Sequence, residues 1–255
     1  MQIKNHLKKR IKNKDTLIGT WSIIPSSTVM EILALSGFDF IIIDHEHGPH
    51  NYESSENYIR AIENSNCTPL IRVSNNDPDK ILRALEIGAH GIVVPNINNK
   101  LEASKAIESM KYFPEGKRGV SAYTRSTGYS PANKKFTRNF TNNNIISMLL
   151  LESAEALKNI DEILTVKNID IIYFGTYDLS QSLGILDDLN NKKLISAIDN
   201  VVKKIINKNI TVGVLIQSKK DYLFWKKKGF KFFLYQVDCG LIKDTITQNI
   251  KLLKK

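Results

Sequence analysis

Asp44, Glu46 and His47 stand together in the segment Ile41-Ile42-Ile43-Asp44-His45-Glu46-His47-Gly48-Pro49. They follow directly on the apolar run Phe40 to Ile43, which is short, largely β-branched and bounded by Gly37 and by Gly48-Pro49. Such a run reads as a strand buried on both faces, as in a parallel sheet. Carboxylates and imidazoles at its end cannot be desolvated without partners, because each bare charge costs several kcal/mol. The carboxyl end of a buried strand is where α/β proteins place proton transfer and ligand binding; a solvated polar loop is the alternative. Comparable chemistry recurs after other apolar runs: Arg72 after Leu70-Ile71, Glu152 after Ile146 to Leu151, and Gly175-Thr176-Tyr177-Asp178 after Ile169 to Phe174. Glu86 lies just ahead of Gly88 and the next run.

These residues need a scaffold that brings strand ends together. Apolar runs at Leu17–Ile24, Phe38–Ile43, Leu70–Val73, Gly91–Val94, Ile146–Leu151, Ile169–Phe174, Thr211–Ile216 and Lys231–Val237 alternate with helical patterns. The helices are expected over Ser27–Ser36, Tyr52–Asn64, Pro78–Ile87, Lys100–Met110, Ala154–Leu164, Leu179–Leu183, Lys192–Lys208, Lys219–Lys228 and Leu241–Leu253. Regular alternation predicts parallel strands, and eight units close into an α/β fold of the (β/α)8 TIM-barrel kind. A doubly wound open sheet is the competitor, but no glycine-rich phosphate fingerprint follows the first run. In the barrel, the fifth and sixth strands are neighbours about 4.8 Å apart, so Glu152 and Asp178 converge. Two converging carboxylates either share a proton or hold a divalent cation, with oxygen ligands suiting Mg2+ or Mn2+. A helix-capping role for Asp178, ahead of Leu179-Ser180, is the simpler alternative.

The 255 residues, 42% hydrophobic and 24% charged, suit one domain spanning the chain. Lys and Arg number 36 against 26 Asp and Glu, for a net charge of +10. The lysines are dispersed and come with many Asn and Ile, so nucleic acid is not the expected partner; steering of anionic substrates is the more natural consequence. No run approaches the roughly 20 apolar residues of a membrane span, and the basic segment 1–14 lacks the apolar core of a secretory signal. Ile3, Leu7 and Ile11 are instead spaced for a short amphipathic helix against the body. Cys67 and Cys239 are too few for a disulfide framework and lack metal spacing, which favours a cytoplasmic protein with reduced thiols. The segment 112–144, rich in Gly, Ser, Thr, Arg and Asn, is long enough to predict a lid over the catalytic end or an intersubunit arm. Phe136 and Phe140 suggest a docked helical turn within it, and Arg118 and Arg125 are candidates for a distal substrate anion.

The ordered set Ile-Asp-x-Glu-His, Pro-Leu-Ile-Arg, Leu-Glu-Ile-Gly-Ala, Val-Val-Pro, Phe-Pro-x-Gly-x-Arg-Gly, Leu-Glu-Ser and Gly-x-x-Asp-Leu-Ser runs from about Leu17 to Lys243. It resembles the HpcH/HpaI family of metal-dependent class II pyruvate aldolases, which implies a barrel of the phosphoenolpyruvate/pyruvate type. The resemblance implies that Glu152 and Asp178 bind the metal directly and that Glu46 holds metal-bound water. It further implies an acid–base role for His47, an acid partner at Glu86, pyruvate and enolate binding by Arg72, and a supporting role for Asp44. The implied cofactor is Mg2+ or Mn2+, with Co2+ a third option, and the implied assembly is a homo-oligomer, trimeric or hexameric, with exchanged C-terminal helices.

The chemistry is coherent in itself. A Lewis acid and a fixed guanidinium stabilise an enolate, and a histidine moves the proton of the aldol hydroxyl. The expected reaction is reversible cleavage of a 4-hydroxy-2-oxo acid to pyruvate, or a related 2-oxo acid, and an aldehyde. Other metal-enolate reactions (decarboxylation, acyl-CoA lyase chemistry) and a non-catalytic binding barrel are the alternatives. A Schiff-base aldolase would need a lysine at a strand end, and none stands there. Three departures from the family pattern fall on the substrate wall: Leu150 where Gln is frequent, Thr176-Tyr177 where small residues are usual, and His45 where Gly is common. With Gly175, and with Trp21 at the pocket mouth, these positions define the expected substrate contacts. His6, His50, His90 and Trp225 read as solvated, turn-forming or packing residues.

Overall fold

The computed structural model describes residues 5–131, 138–185 and 188–254. Eight parallel strands form a closed barrel in chain order. They are β1 (Leu17–Ser22), β2 (Phe40–Asp44), β3 (Thr68–Arg72), β4 (Gly91–Val94), β5 (Ile146–Leu151), β6 (Ile171–Phe174), β7 (Thr211–Ile216) and β8 (Phe232–Val237). A leading helix, α1 (His6–Lys12), precedes β1. The outer ring comprises α2 (Ser27–Leu35), α3 (Tyr52–Glu63), α4 (Pro78–Glu86), α5 (Lys100–Met110), α6 (Arg138–Asn144), α7 (Ala154–Lys158), α8 (Ile160–Ile163), α9 (Thr176–Ser182), α10 (Lys192–Asn207) and α11 (Lys219–Lys227). The chain ends on α12 (Asp238–Leu253).

Local sequence explains most of these starts. Ser26, Asn51, Asp77, Asn99, Ser153, Asn191 and Ser218 each accept a hydrogen bond from a first-turn amide, satisfying a donor that the helix leaves orphaned. The single helix expected over Ala154–Leu164 is broken at Asn159. The helix expected from Leu179 begins three residues earlier, at Thr176, with Gly175 as a cap lacking a side-chain bond. Asp178 therefore sits inside the first turn and does not cap it.

Alternation along the strands builds two cores. Ile41, Ile43, Ile71, Ile92, Leu149 and Leu151 point outward to the helices, whereas Phe40, Ile42, Leu70, Val93, Met148 and Leu150 fill the barrel. The rings of Phe40 and Phe232 stack inside it at 4.0 Å, in space left by Gly19, where a Cβ would lie 2.4 Å from Phe40. Leu7 and Ile11 of α1 join this inner core and plug the amino end of the barrel, as their spacing predicts; Ile3 lies outside the described residues. Lys8 fixes the plug through Asp170 at 2.5 Å and the Ile145 carbonyl at 2.9 Å.

The long segment after α5 departs from expectation. Its described parts lie against the amino end of the barrel, not over the carboxyl end. Arg118 pairs with Glu86 at the end of α4 (3.0 Å), and Arg125 pairs with Glu63 at the end of α3. Both helices run back from the carboxyl to the amino end, so their last residues mark that end. His90, just before β4, bonds Glu63 at 2.8 Å and so packs at the same end. Phe136 lies outside the described residues. Arg118 and Arg125 thus fasten residues 112–131 as a strap along the outside of the barrel; the intersubunit arm is the part of the expectation that one chain does not address.

Lys111, 2% exposed, opens this strap and donates to the Asn142 carbonyl. Burial, then the charge of Lys8, pushes its pKa down to about 8, against the pull of Asp170 and Glu115. A lysine depressed on folding binds fewer protons in the fold than unfolded, so stability rises with pH from about 8 towards 10.5. Lys111→Met is expected to raise stability by about 1–2 kcal/mol at pH 7 and to flatten that rise. Thermal unfolding of both proteins from pH 7 to 10 checks it; a lower Tm for the variant would refute it.

Candidate active site

The carboxyl end of the barrel opens into a cavity of about 380 Å3. Asp44, His47, Arg72, Glu152, Gly175, Thr176, Tyr177 and Asp178 line it, with Trp21 and Leu150. The sequence candidates thus meet at one place, apart from His45, Glu46, Glu86, Arg118 and Arg125. Glu46 reaches the site through Arg72, whereas Glu86 and Arg118 lie outside the cavity, paired with each other.

Asp44 organises one side. It ends β2 opposite Arg72 of β3, in register. Its carboxylate accepts from Arg72 Nε at 2.8 Å and Nη2 at 2.5 Å, and also from the amides of Glu46 (3.0 Å) and His47 (3.3 Å). Burial alone would raise its pKa, but the guanidinium and the two amides together outweigh burial and hold it below the ordinary carboxylate range. Asp44 thereby fixes the orientation of the guanidinium and ties down the turn that carries His47. Arg72 Nη1 lies 3.0 Å from Glu46 Oε2, and its guanidinium covers the Trp21 ring at 4.3 Å. The His47 ring is exposed and makes no hydrogen bond among the described residues.

Glu152 organises the other side. Gly175 gives it room, since a Cβ there would lie 2.6 Å from Glu152 Oε1. Its Oε2 accepts the Asn96 amide at 3.0 Å. Asn96 has φ +56°, a left-handed conformation that Asn tolerates better than most residues and that turns its N–H to the carboxylate. Burial, then the negative charges of Glu46 and Asp178, push Glu152 up to about 7, against the Asn96 amide and Arg72. Glu46 is raised as well, by burial first and then by Asp44 and Asp178, with Arg72 opposing. Its Oε2 is buried without a hydrogen bond, because the contact with Arg72 is not aligned for one.

No group of three His, Cys, Asp or Glu among the described residues is preassembled as a complete metal cage. Two acids facing one cavity with a third nearby, one of them pushed up to about 7 by burial and then by its acidic neighbours, nonetheless suit a divalent ion completed by water and substrate oxygens. The donor set fits.

His45 and His50 serve the scaffold. His45 bonds Ser55 Oγ at 2.8 Å and is held down to about 4 by burial and His50, so it stays neutral. His50 donates to the Ser22 carbonyl at 3.1 Å, bridging the loops after β1 and β2. Sequence reasoning missed Asn96 and Asp238. Fully buried Asp238 accepts from Ser22 Oγ (2.5 Å) and from the amides of Ile23 (3.1 Å) and Ile24 (3.0 Å), so it pins the loop carrying Ile23 into the cavity wall. Asn after Val-Val-Pro and Asp after an apolar run were the available signals, but neither names its distant partner.

Residues 17–243 match the family model described as HpcH/HpaI aldolase/citrate lyase. The chain is 30% identical over 254 residues to a 5-keto-4-deoxy-D-glucarate aldolase of Shigella boydii, covering 98% of this chain and 97% of that one. Among solved structures, citrate synthase SbnG superposes with a TM-score of 0.88 at 28% identity, covering 97% of each chain. An HpcH/HpaI aldolase of Desulfitobacterium hafniense gives 0.91 at 25%, covering 98% and 96%.

Proposed function

Because this chain belongs to the HpcH/HpaI aldolase/citrate lyase family and is a carbon–carbon lyase, we propose that it reversibly cleaves a 4-hydroxy-2-oxo acid to pyruvate, or a related 2-oxo acid, and an aldehyde. The observation that carries this reading is the meeting of Arg72, His47, Glu152 and Asp178 in one cavity at the carboxyl end of the barrel. Glu152 and Asp178 would hold a divalent ion directly, Mg2+ or Mn2+ by the hardness of the donors and Co2+ as a third option, with Glu46 acting through water. When bound, the ion supplies Lewis-acid stabilisation to negative charge on the 2-oxo acid. Arg72 binds the carboxylate and the developing enolate charge, preset by Asp44 so that little reorganisation is needed. His47, exposed and free to turn, moves the proton of the C4 hydroxyl. Gly175 and Thr176 border the 2-oxo acid, and Trp21 screens Arg72 from water.

The test is exchange of the pyruvate methyl protons in D2O, followed by NMR with Mn2+ or with chelator. Metal-dependent exchange is expected. His47→Ala is expected to keep exchange while lowering aldol cleavage about 10²- to 10⁴-fold. A folded, metal-binding protein without exchange would sink the reading. Likeness to citrate synthase SbnG favours a second reading, bond formation from an acyl-CoA on the same scaffold; release of an aldehyde from a hydroxy-oxo acid decides for the first.

Within one chain Glu86 does not line the cavity that holds His47. A His47–Glu86 partnership would therefore draw Glu86 from a second copy, and we place the functional unit as a homo-oligomer, trimeric or hexameric. The apolar face of α12 supports this: Ile242, Ile246, Ile250 and Leu253 are 44–82% exposed at helical spacing. Ile246→Glu with Ile250→Glu is expected to yield monomers in light scattering; an unchanged mass would refute α12 as the contact. No described helix is long and apolar enough to cross a membrane, and Cys67 and Cys239 are both free, so the proposed setting is the cytoplasm.

A further inference from the structure

Besides the groups that would engage a 2-oxo acid, the cavity has an aliphatic lining. Ile23, Leu150, Leu215 and Val237 supply it, together with the half-exposed Tyr177. Arg72 is the only Lys or Arg side chain lining the cavity among the described residues. Two of its N–H groups bond Asp44, and its remaining donors are those assigned above to the carboxylate of the 2-oxo acid. Arg118 and Arg125, the cations the sequence offered for a distal anion, are paired with Glu86 and Glu63 at the other end of the barrel.

A second carboxylate on the substrate would therefore shed water against aliphatic side chains, with no lining cation besides Arg72 among the described residues to meet it. Leu150, 1% exposed, cannot donate a hydrogen bond to it. One polar feature remains. The Tyr177 hydroxyl accepts from Gln217 Nε2 at 3.0 Å and so keeps its own proton for a neutral oxygen at the rim.

From this wall we infer that the aldehyde partner is uncharged, with a compact and mainly apolar substituent, rather than the semialdehyde of a diacid. The inference rests on the aldol reading above. In the synthetic direction the pyruvate methyl group gives up one proton and its carbon bonds the aldehyde carbonyl carbon. The former carbonyl oxygen takes up a proton to become the hydroxyl, so no further reactant is needed.

Butanal and succinic semialdehyde have equal carbon counts and differ in the distal carboxylate, which makes them the decisive pair. With pyruvate, Mn2+ and the full-length protein, kcat/KM for butanal is expected to exceed that for succinic semialdehyde at least about 100-fold. Tyr177 is 45% exposed, so Tyr177→Arg can be accommodated and supplies the missing cation. That variant should move the ratio towards the semialdehyde by at least about tenfold. A parent enzyme that uses succinic semialdehyde as well as butanal overturns the inference, as does an unmoved ratio in a variant that still exchanges pyruvate protons. Pyruvate exchange without any aldehyde separates the two levels. If exchange persists while the preference is absent, the inference alone fails; if exchange is absent, the aldol reading and this inference fail together.

Discussion

Glu152→Gln is expected to abolish Mn2+ binding and to lower lyase activity by at least about 10²- to 10³-fold. The substitution keeps size and one oxygen but removes the charge that the proposed ion would meet. The same residue should impose a pH dependence. Held at about 7 by burial and by its acidic neighbours, Glu152 is largely protonated below neutrality, and metal binding must displace that proton. Affinity for Mn2+ should therefore fall up to about tenfold per pH unit below 7. The metal-free fold carries the converse signature. A carboxyl raised on folding contributes stability that is complete below its unfolded value of 4.5 and is lost as pH rises through 7, an effect of about 3 kcal/mol for a group 7% exposed. Added Mn2+ should raise Tm more at pH 8 than at pH 5.5, and Glu152→Gln should remove both the metal shift and this group's part of the pH slope. A variant that retained the full metal shift would show that the ion lies elsewhere.

Arg72→Ala is expected to cost stability as well as activity, by about 3–5 kcal/mol, because it strands a buried carboxylate. Asp44 is 2% exposed and owes its ionised state to the two guanidinium bonds. Adding Asp44→Asn should recover part of the lost stability, since the orphaned charge is then gone, without recovering activity. Arg72→Lys separates the two roles. An ammonium retains the charge but cannot span both oxygens of Asp44 or lie flat on Trp21, so the variant should fold while losing about 10²-fold or more in activity. Urea denaturation and initial rates on the same three variants check this. If Asp44→Asn further destabilised Arg72→Ala, the buried-charge account would fail.

The barrel was legible because its signals are local. Apolar runs of four to six residues, most of them followed by a capping Ser, Asn or Asp and a helical stretch, state the βα repeat without long-range information. Position at a strand's carboxyl end then sufficed to nominate Asp44, Arg72, Glu152 and Asp178, since barrel closure brings those ends together. What the sequence by itself determined is thus the repeat, the closure and the chemical types gathered at one rim. Contacts between residues far apart in the chain were decided only by tertiary structure. The strap 112–131 docks at the amino end because Arg118 and Arg125 find Glu86 and Glu63 there, and no periodicity encodes which carboxylate an arginine will reach. Asn96 on Glu152 and Asp238 on the loop after β1 are of the same kind, hydrogen bonds across 56 and more than 200 residues. Local sequence sets what each segment can become; desolvation and charge pairing, which depend on the whole fold, set which distant groups meet.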